Sequence, residues 1–275
     1  MKTILITGCS SGIGLCVAQG LRERGYRVFA TARKQEDVKI LQQKGFESCY
    51  LDLDDSDSIH RAVDWVLQQT GGTLDALFNN GAYGQPGALE DISREALRAQ
   101  FETNVFGTHE LTSLILPVMR RQGYGRVIQN SSVLGFVALP FRGAYVASKF
   151  ALEGLTETLR LEWQGSGIYF SLIEPGPIHS DFRRNATLSF QRYVDLNKSC
   201  RQLDYQLLEA RFQKQAEEGG ARFSLPPEAV LHKVIHALES RRPRVRYGVT
   251  LPTHIFALLR RILPRRVLDL VLVHG

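Results

Sequence analysis

Cysteine is scarce in this chain, with four in 275 residues, at Cys9, Cys16, Cys49 and Cys200. No two stand in a C-x-x-C pair, and each lies within or beside an apolar run. Neither a disulfide framework nor a metal site is therefore expected, and the thiols read as reduced. Uninterrupted apolar stretches of about 18 residues are also missing, so no spanning helix is expected. The N-terminus has no basic segment followed by a long apolar one. Met1-Lys2-Thr3-Ile4 enters a strand directly, which argues against a secretory signal and for a cytoplasmic protein. Repeats and low-complexity tracts are absent.

Acidic residues are short in only one place. From Arg241 to Gly275 there are eight arginines and one acid, Asp269, while the other 240 residues carry 26 basic and 27 acidic side chains. The whole excess of +6 therefore belongs to the tail. Chain-wide basicity would point to nucleic acid, whereas a basic tail points to a local anionic surface or partner. No nucleic-acid partner is expected. Apolar content of 44% and charge of 23% are ordinary for a soluble globular chain long enough for a substantial core.

What the chain does have is a strand, a glycine turn and a helix at its start. Lys2–Thr7 reads as a buried strand, Gly8-Cys9-Ser10-Ser11-Gly12-Ile13-Gly14 as the turn, and Leu15–Arg24 as the helix. Such a unit brings backbone N–H groups and a helix N-terminus to a pyrophosphate. Gly8 allows the sharp turn, Gly12 the close phosphate approach and Gly14 tight helix packing. By itself, the same stretch also suits a plain glycine-rich turn. A second strand, Arg27–Thr31, is followed by Arg33 and Lys34, with no carboxylate from Arg27 to Gln35. An acid there would hold a ribose 2′-hydroxyl. A guanidinium suits a 2′-phosphate, so NADP(H) is expected over NAD(H), with Ser11 assisting; a solvated surface arginine is the plainer reading.

The second informative stretch runs from Arg126 to Leu159. A β-branched strand leads into Asn130-Ser131-Ser132, a loop covers Gly135–Gly143, and the spacing predicts a helix over Ala144–Glu162. Tyr145 and Lys149, four apart, share one face of that helix. Ser132 lies thirteen residues before Tyr145, where its hydroxyl can meet the phenol across the loop. An ammonium about 4 Å from a phenol, at an effective dielectric of about 20, favours the phenolate by roughly 4 kcal/mol. That is roughly 3 pK units before desolvation, so a lowered tyrosine pKa is expected, suited to proton exchange with a carbonyl or alcohol.

Ser132, Tyr145-Val146-Ala147-Ser148-Lys149 and Phe150-Ala151-Leu152-Glu153-Gly154 resemble the short-chain dehydrogenase/reductase family. The resemblance spans about Lys2 to Glu239, and the G-x-x-x-G-x-G spacing of the turn shares it. It implies a catalytic set of Asn104, Ser132, Tyr145 and Lys149. Asn104, in Thr103-Asn104-Val105-Phe106-Gly107, would kink its helix and hold a water chain to the lysine; a backbone-bonded asparagine is the alternative. Cofactor contacts would come from Gly8, Ser10, Ser11, Gly12, Ile13, Gly14, Arg33, Asp52, Leu53, Asn80, Gly81, Tyr145 and Lys149, then Pro175, Gly176, Ile178 and Ser180. Asp52 serves equally well as a cap for the helix starting near Asp55. Asn79-Asn80-Gly81-Ala82 departs from the family's N-N-A-G, which puts the local turn shape in question.

Alternating strands and helices predict one doubly wound α/β domain over residues 1–250, with about seven parallel strands in the order 3-2-1-4-5-6-7 by resemblance. Residues 181–225 read as a helical lid, where Phe182, Phe190, Tyr193, Leu196, Phe212 and Phe223 would line a pocket or pack the lid itself. Residues 251–275 form a basic amphipathic tail. Ile255, Leu258, Leu259, Ile262 and Leu263 share a helical face, which would pack on its own core, on a subunit or on an anionic membrane. The expected activity is NADP(H)-dependent interconversion of an apolar carbonyl and its alcohol in a homodimer or homotetramer. Segments ahead of Tyr145, Ser132-Val133-Leu134-Gly135 and Leu139-Pro140-Phe141, are similar to hydroxysteroid, retinol and bacterial aldehyde reductases. The alternative is a nucleotide-binding redox sensor or scaffold without turnover.

Overall fold

Parallel strands covered by helices on both faces must be short, apolar and largely buried, as the five inner strands of this sheet are, while the two edge strands are only partly buried. The computed structural model describes residues 1–217 and 223–273, with side chains through 210 and from 223 onward. The strands are β1 (Thr3–Ile6), β2 (Arg27–Ala32), β3 (Glu47–Tyr50), β4 (Ala76–Asn79), β5 (Gly125–Asn130), β6 (Ile168–Glu174) and β7 (Arg246–Gly248). They form one sheet in the order β3-β2-β1-β4-β5-β6-β7. Every pairing is parallel. Parallel neighbours need crossovers, which α1 (Gly12–Glu23), α2 (Gln35–Gln43), α3 (Ser56–Thr70), α4 (Arg94–Phe101), α5 (Thr108–Gln122) and α6 (Gly143–Glu162) supply.

Alternate residues of each strand face opposite layers. Ile4, Ile6, Val28, Ala30 and Phe78 pack on one side with Val17 and Leu21 of α1 and Val230 and Val234 of α9 (Glu228–Glu239). Leu5, Phe29, Leu77 and Val127 pack on the other with Ile59 and Val63 of α3 and Leu111 and Ile115 of α5. Strand order reverses between β1 and β4, and the carboxyl ends of those strands flank the crevice where doubly wound folds take their ligands.

Between β6 and α9 lie α7 (Phe182–Tyr193) and α8 (Gln202–Glu217). Backbone bonds close the base of this segment: Leu225 N–H donates to the Pro177 carbonyl at 3.1 Å, and His179 N–H to the Leu225 carbonyl at 3.0 Å. Tyr205 holds it to the loop after β4, donating to Asp91 at 2.6 Å and accepting from Ala88 N–H at 2.8 Å. Phe190 packs on Tyr205, Leu196 and Phe223 are exposed, and the Phe212 side chain lies outside the described residues.

The tail forms two helices, α10 (Leu251–Ile262) and α11 (Arg265–Leu272), separated at Pro264. Phe256, Ala257, Leu259, Leu263, Leu268 and Leu272 pack against Leu134, Phe136, Val137 and Tyr145. The apolar face predicted from spacing is thus divided. Leu259 and Leu263 turn inward, while Ile255, Leu258 and Ile262 remain exposed.

Candidate active site

Three strand ends are stitched together at the mouth of the crevice. The Thr7 hydroxyl accepts from the N–H groups of Asn80 and Gly81 at 2.9 and 2.8 Å. Asn80 Nδ2 donates to the carbonyls of Thr7 and Gly8, and Asn130 Nδ2 donates to Asn80 Oδ1 at 2.9 Å. Gly8 takes a left-handed φ of +70°, and a Cβ at Gly14 would lie 2.1 Å from the Gly8 oxygen. Only glycine permits that closeness of helix and turn. At Gly81 a Cβ would come within 3.2 Å of Leu53 and Thr7 side-chain atoms, so an alanine at the third place of the N-N-G-A turn would need those side chains to give slightly.

The fit to a dinucleotide follows from α1. Its N-cap, Ser11, makes no side-chain capping bond, and its first turn holds no acid. The turn Ser10–Ile13 is exposed or half-buried. Uncapped N–H donors and the positive helix end suit phosphate oxygens, and Ser180 stands over Gly12, 3.0 Å from where its Cβ would be. Arg33 and Lys34 are exposed just beyond β2. Asp52 does not cap α3, because Asp55 does so by accepting from Ser58 N–H. Asp52 instead accepts from Asp54 N–H, and Leu53 beside it is buried.

Asn104 sits in a π-helical turn, Glu102–Gly107, between α4 and α5. Its side chain holds Tyr83 by both backbone groups, accepting at 3.2 Å and donating at 3.0 Å, and donates to Ser148 Oγ at 3.0 Å. Ser148 in turn donates to the Tyr145 carbonyl at 2.8 Å. The loop after β4 is therefore docked on α6 beside the tyrosine.

Ser132 lies buried past the end of β5, its hydroxyl accepting from Leu134 N–H at 3.1 Å and near enough to the Tyr145 phenol to favour its ionised form. Lys149 Nζ donates to the Asn130 carbonyl at 2.6 Å and stands 5.7 Å from the centre of the Tyr145 ring. The fold thus gathers the three groups at one place. Pro175 accepts from Val133 N–H at 2.8 Å, and Gly176 is pressed against Thr250, 2.1 Å from where its Cβ would fall. Ile178 bridges to Leu225.

The expected fall in the tyrosine pKa is corrected by this arrangement. Burial pushes Tyr145 up to about 12, and the Ser132 hydrogen bond only partly opposes it. Burial also lowers Lys149 to about 8, against the pull of Glu153. A lysine whose own charge is costly, with its ammonium turned to a carbonyl, cannot supply the full Coulomb effect reckoned for an exposed pair.

A model of the family described as short chain dehydrogenase matches residues 2–189. The chain belongs to the short-chain dehydrogenase/reductase family. It is 43% identical over 273 residues to the uncharacterized oxidoreductase YbbO of Escherichia coli K12, covering 98% of this chain and 94% of that protein. It is 32% identical to the NADPH-dependent 3-dehydrocapnine reductase of Ornithobacterium rhinotracheale, covering 98% and 95%. Among solved structures, a short-chain dehydrogenase from Streptomyces avermitilis superposes with a TM-score of 0.73 at 26% identity, covering 95% of each chain. Family membership makes the protein an oxidoreductase whose fold binds a nicotinamide cofactor.

Sequence reasoning passed over four groups that shape this site. Tyr83 is the backbone that Asn104 holds, and Ser148, inside the quoted motif, links Asn104 to Tyr145. Glu153 accepts from Ser131 Oγ at 2.5 Å and pairs with Arg246, which also pairs with Glu174 and Glu157. The four-residue step from Lys149 to Glu153 was a usable signal. Arg246, on the last strand, had none. Phe182, read as one of several lid aromatics, packs edge-on to Tyr145 with ring centres 5.4 Å apart.

Proposed function

We propose that the protein is an NADP(H)-dependent reductase of apolar aldehydes or ketones, with Tyr145 as the proton donor. The observation that carries this reading is the meeting of Tyr145 with Ser132 and Lys149 beside an uncapped, glycine-lined helix start. When bound, the nicotinamide supplies the hydride. Ser132 holds the carbonyl oxygen by its hydroxyl, and Tyr145 gives that oxygen a proton. Burial keeps the phenol protonated at neutral pH, the form a proton donor to a carbonyl oxygen needs. Lys149 orients the cofactor ribose, and Asn104 secures the loop and helix around the site.

Arg33 with Lys34 supports a 2′-phosphate, as does the absence of a carboxylate along β2. Asp52, Leu53, Asn80 and Gly81 border the adenosine half, while Pro175, Gly176, Ile178 and Ser180 border the nicotinamide half. Residues 181–225 act as the lid, and Phe182 against Tyr145 supports an apolar substrate. The working protein is a cytoplasmic homodimer or homotetramer. Tyr145→Phe tests the assignment. NADPH-linked reduction of a medium-chain aldehyde should fall about 10²–10⁴-fold while NADPH affinity, followed by fluorescence, stays within about twofold. Retained turnover would remove Tyr145 from the role.

A further inference from the structure

The outer side of the C-terminal elbow is left without a partner of its own. Leu251, Ile255, Leu258 and Ile262 follow one another at steps of four, three and four along α10, and each is between 44% and 61% exposed. They lie opposite the side that α10 buries through Thr253, Phe256 and Ala257. At 1.5 Å per residue the row is roughly 16 Å long. In α11, Leu268 and Leu272 go inward while Val267, Leu270 and Val271 stay out, Leu270 at 70%. Arg261, Arg265 and Arg266 cluster at the joint, and Arg260 beside them turns back over the Phe150 ring at 5.9 Å; all four are exposed. Among the described residues none of the four has a carboxylate partner within salt-bridge distance.

We propose that this elbow, α10 with α11, docks on an anionic lipid bilayer, its aliphatic row in the acyl boundary and its arginines among the headgroups. Charge selects the occupant. A second copy seated on this face by two-fold symmetry would bring Arg261, Arg265 and Arg266 against the same three arginines, whereas an anionic leaflet neutralises them. An acidic protein would satisfy the charge as well, yet the exposed apolar side chains run in a row along α10 and on over α11 with arginines at the joint, the amphipathic pattern that suits an anionic bilayer boundary. Confinement of the whole positive excess to residues 241–275 fits a one-sided surface contact. The inward side of the same two helices packs on Leu134, Phe136, Val137 and Tyr145, so a docked elbow holds the site close to the lipid surface. Docking goes beyond the reductase reading and is measured without turnover, so each can fail alone.

The test is co-sedimentation of the full chain with phosphatidylcholine vesicles and with phosphatidylcholine–phosphatidylglycerol vesicles, at low and high salt. Binding to the mixed vesicles should be at least about tenfold tighter than to neutral ones and should weaken with salt. Leu258→Gln with Ile262→Gln should lower it at least about tenfold. Arg265→Gln with Arg266→Gln should lower it roughly thirtyfold, two charges at about 1 kcal/mol each. All four side chains are exposed, so circular dichroism should report unchanged folding. Wild-type protein that stays in the supernatant, or variants that sediment like wild type, would overturn the proposal. So would sedimentation equilibrium showing that the Leu258/Ile262 variant loses a dimer while wild type ignores vesicles, which would assign the face to a second copy.

Discussion

At the scale of single residues, the chemistry rests on burial acting on two ionisable groups four residues apart. Tyr145 is raised to about 12 and Lys149 is lowered to about 8, both chiefly by desolvation. For Lys149 the sign is that of a depressed folded pKa. Its stability contribution is present above about 10.5 and is lost as pH falls through about 8. Lys149→Met should therefore gain in Tm relative to wild type as pH falls over that window, with the difference constant below it, while turnover disappears. Thermal melts from pH 7 to 11 check this, and a pH-independent difference would refute the buried ammonium. Arg33→Ala should raise the KM for NADPH at least about tenfold and that for NADH by less than about twofold, in steady-state assays with either cofactor. Equal effects would sink the phosphate role.

At the scale of elements, α6 organises the site. Tyr145, Ser148, Lys149 and Glu153 share one helical face, and that face is buried. The opposing piece is the π-helical turn Glu102–Gly107, which aims Asn104 at α6 and brings Gly107 against Leu53. A Cβ at Gly107 would lie 1.9 Å from the Leu53 oxygen, so backbone must give way. Gly107→Ala should destabilise the protein by about 1–3 kcal/mol in urea unfolding and weaken cofactor binding by shifting Leu53. Stability equal to wild type would mean that the turn yields freely. The spacing of Tyr145, Lys149 and Ser132 was readable because helix geometry is local. The π turn was not, since its extra residue depends on packing against the loop after β3.

At the scale of the whole molecule, Arg246 ties the last strand to two others' work. It pairs with Glu153 and Glu157 on α6 and with Glu174 at the end of β6, just before Pro175 and Gly176. Three carboxylates around one guanidinium leave excess negative charge, and burial first, then Glu153, raises Glu174 to about 7. A raised carboxylate contributes stability that is full below about 4.5 and is lost as pH rises through about 7. Removing the guanidinium should sharpen that loss. Arg246→Leu should destabilise by about 2–3 kcal/mol at pH 8, below the range for a fully buried pair because part of Arg246 meets water, and by less at pH 5. Melts at both values decide it, and an equal loss at each would show that the carboxylates hold no proton.

By itself the sequence determined what depends on near neighbours: the short strands alternating with helices, a glycine turn that only a close-packed helix start explains, the one-face placement of Tyr145 and Lys149, and a tail holding all the positive excess. Spacing along the chain decides these, and spacing is written in the residues. Tertiary structure alone decided which way burial moves the Tyr145 pKa, which of the tail's apolar residues face water, and that Arg246 stands behind Ser131 and Glu153. Each of those depends on how elements far apart in the chain come together, because desolvation is a property of everything that surrounds a group and not of its place in the sequence.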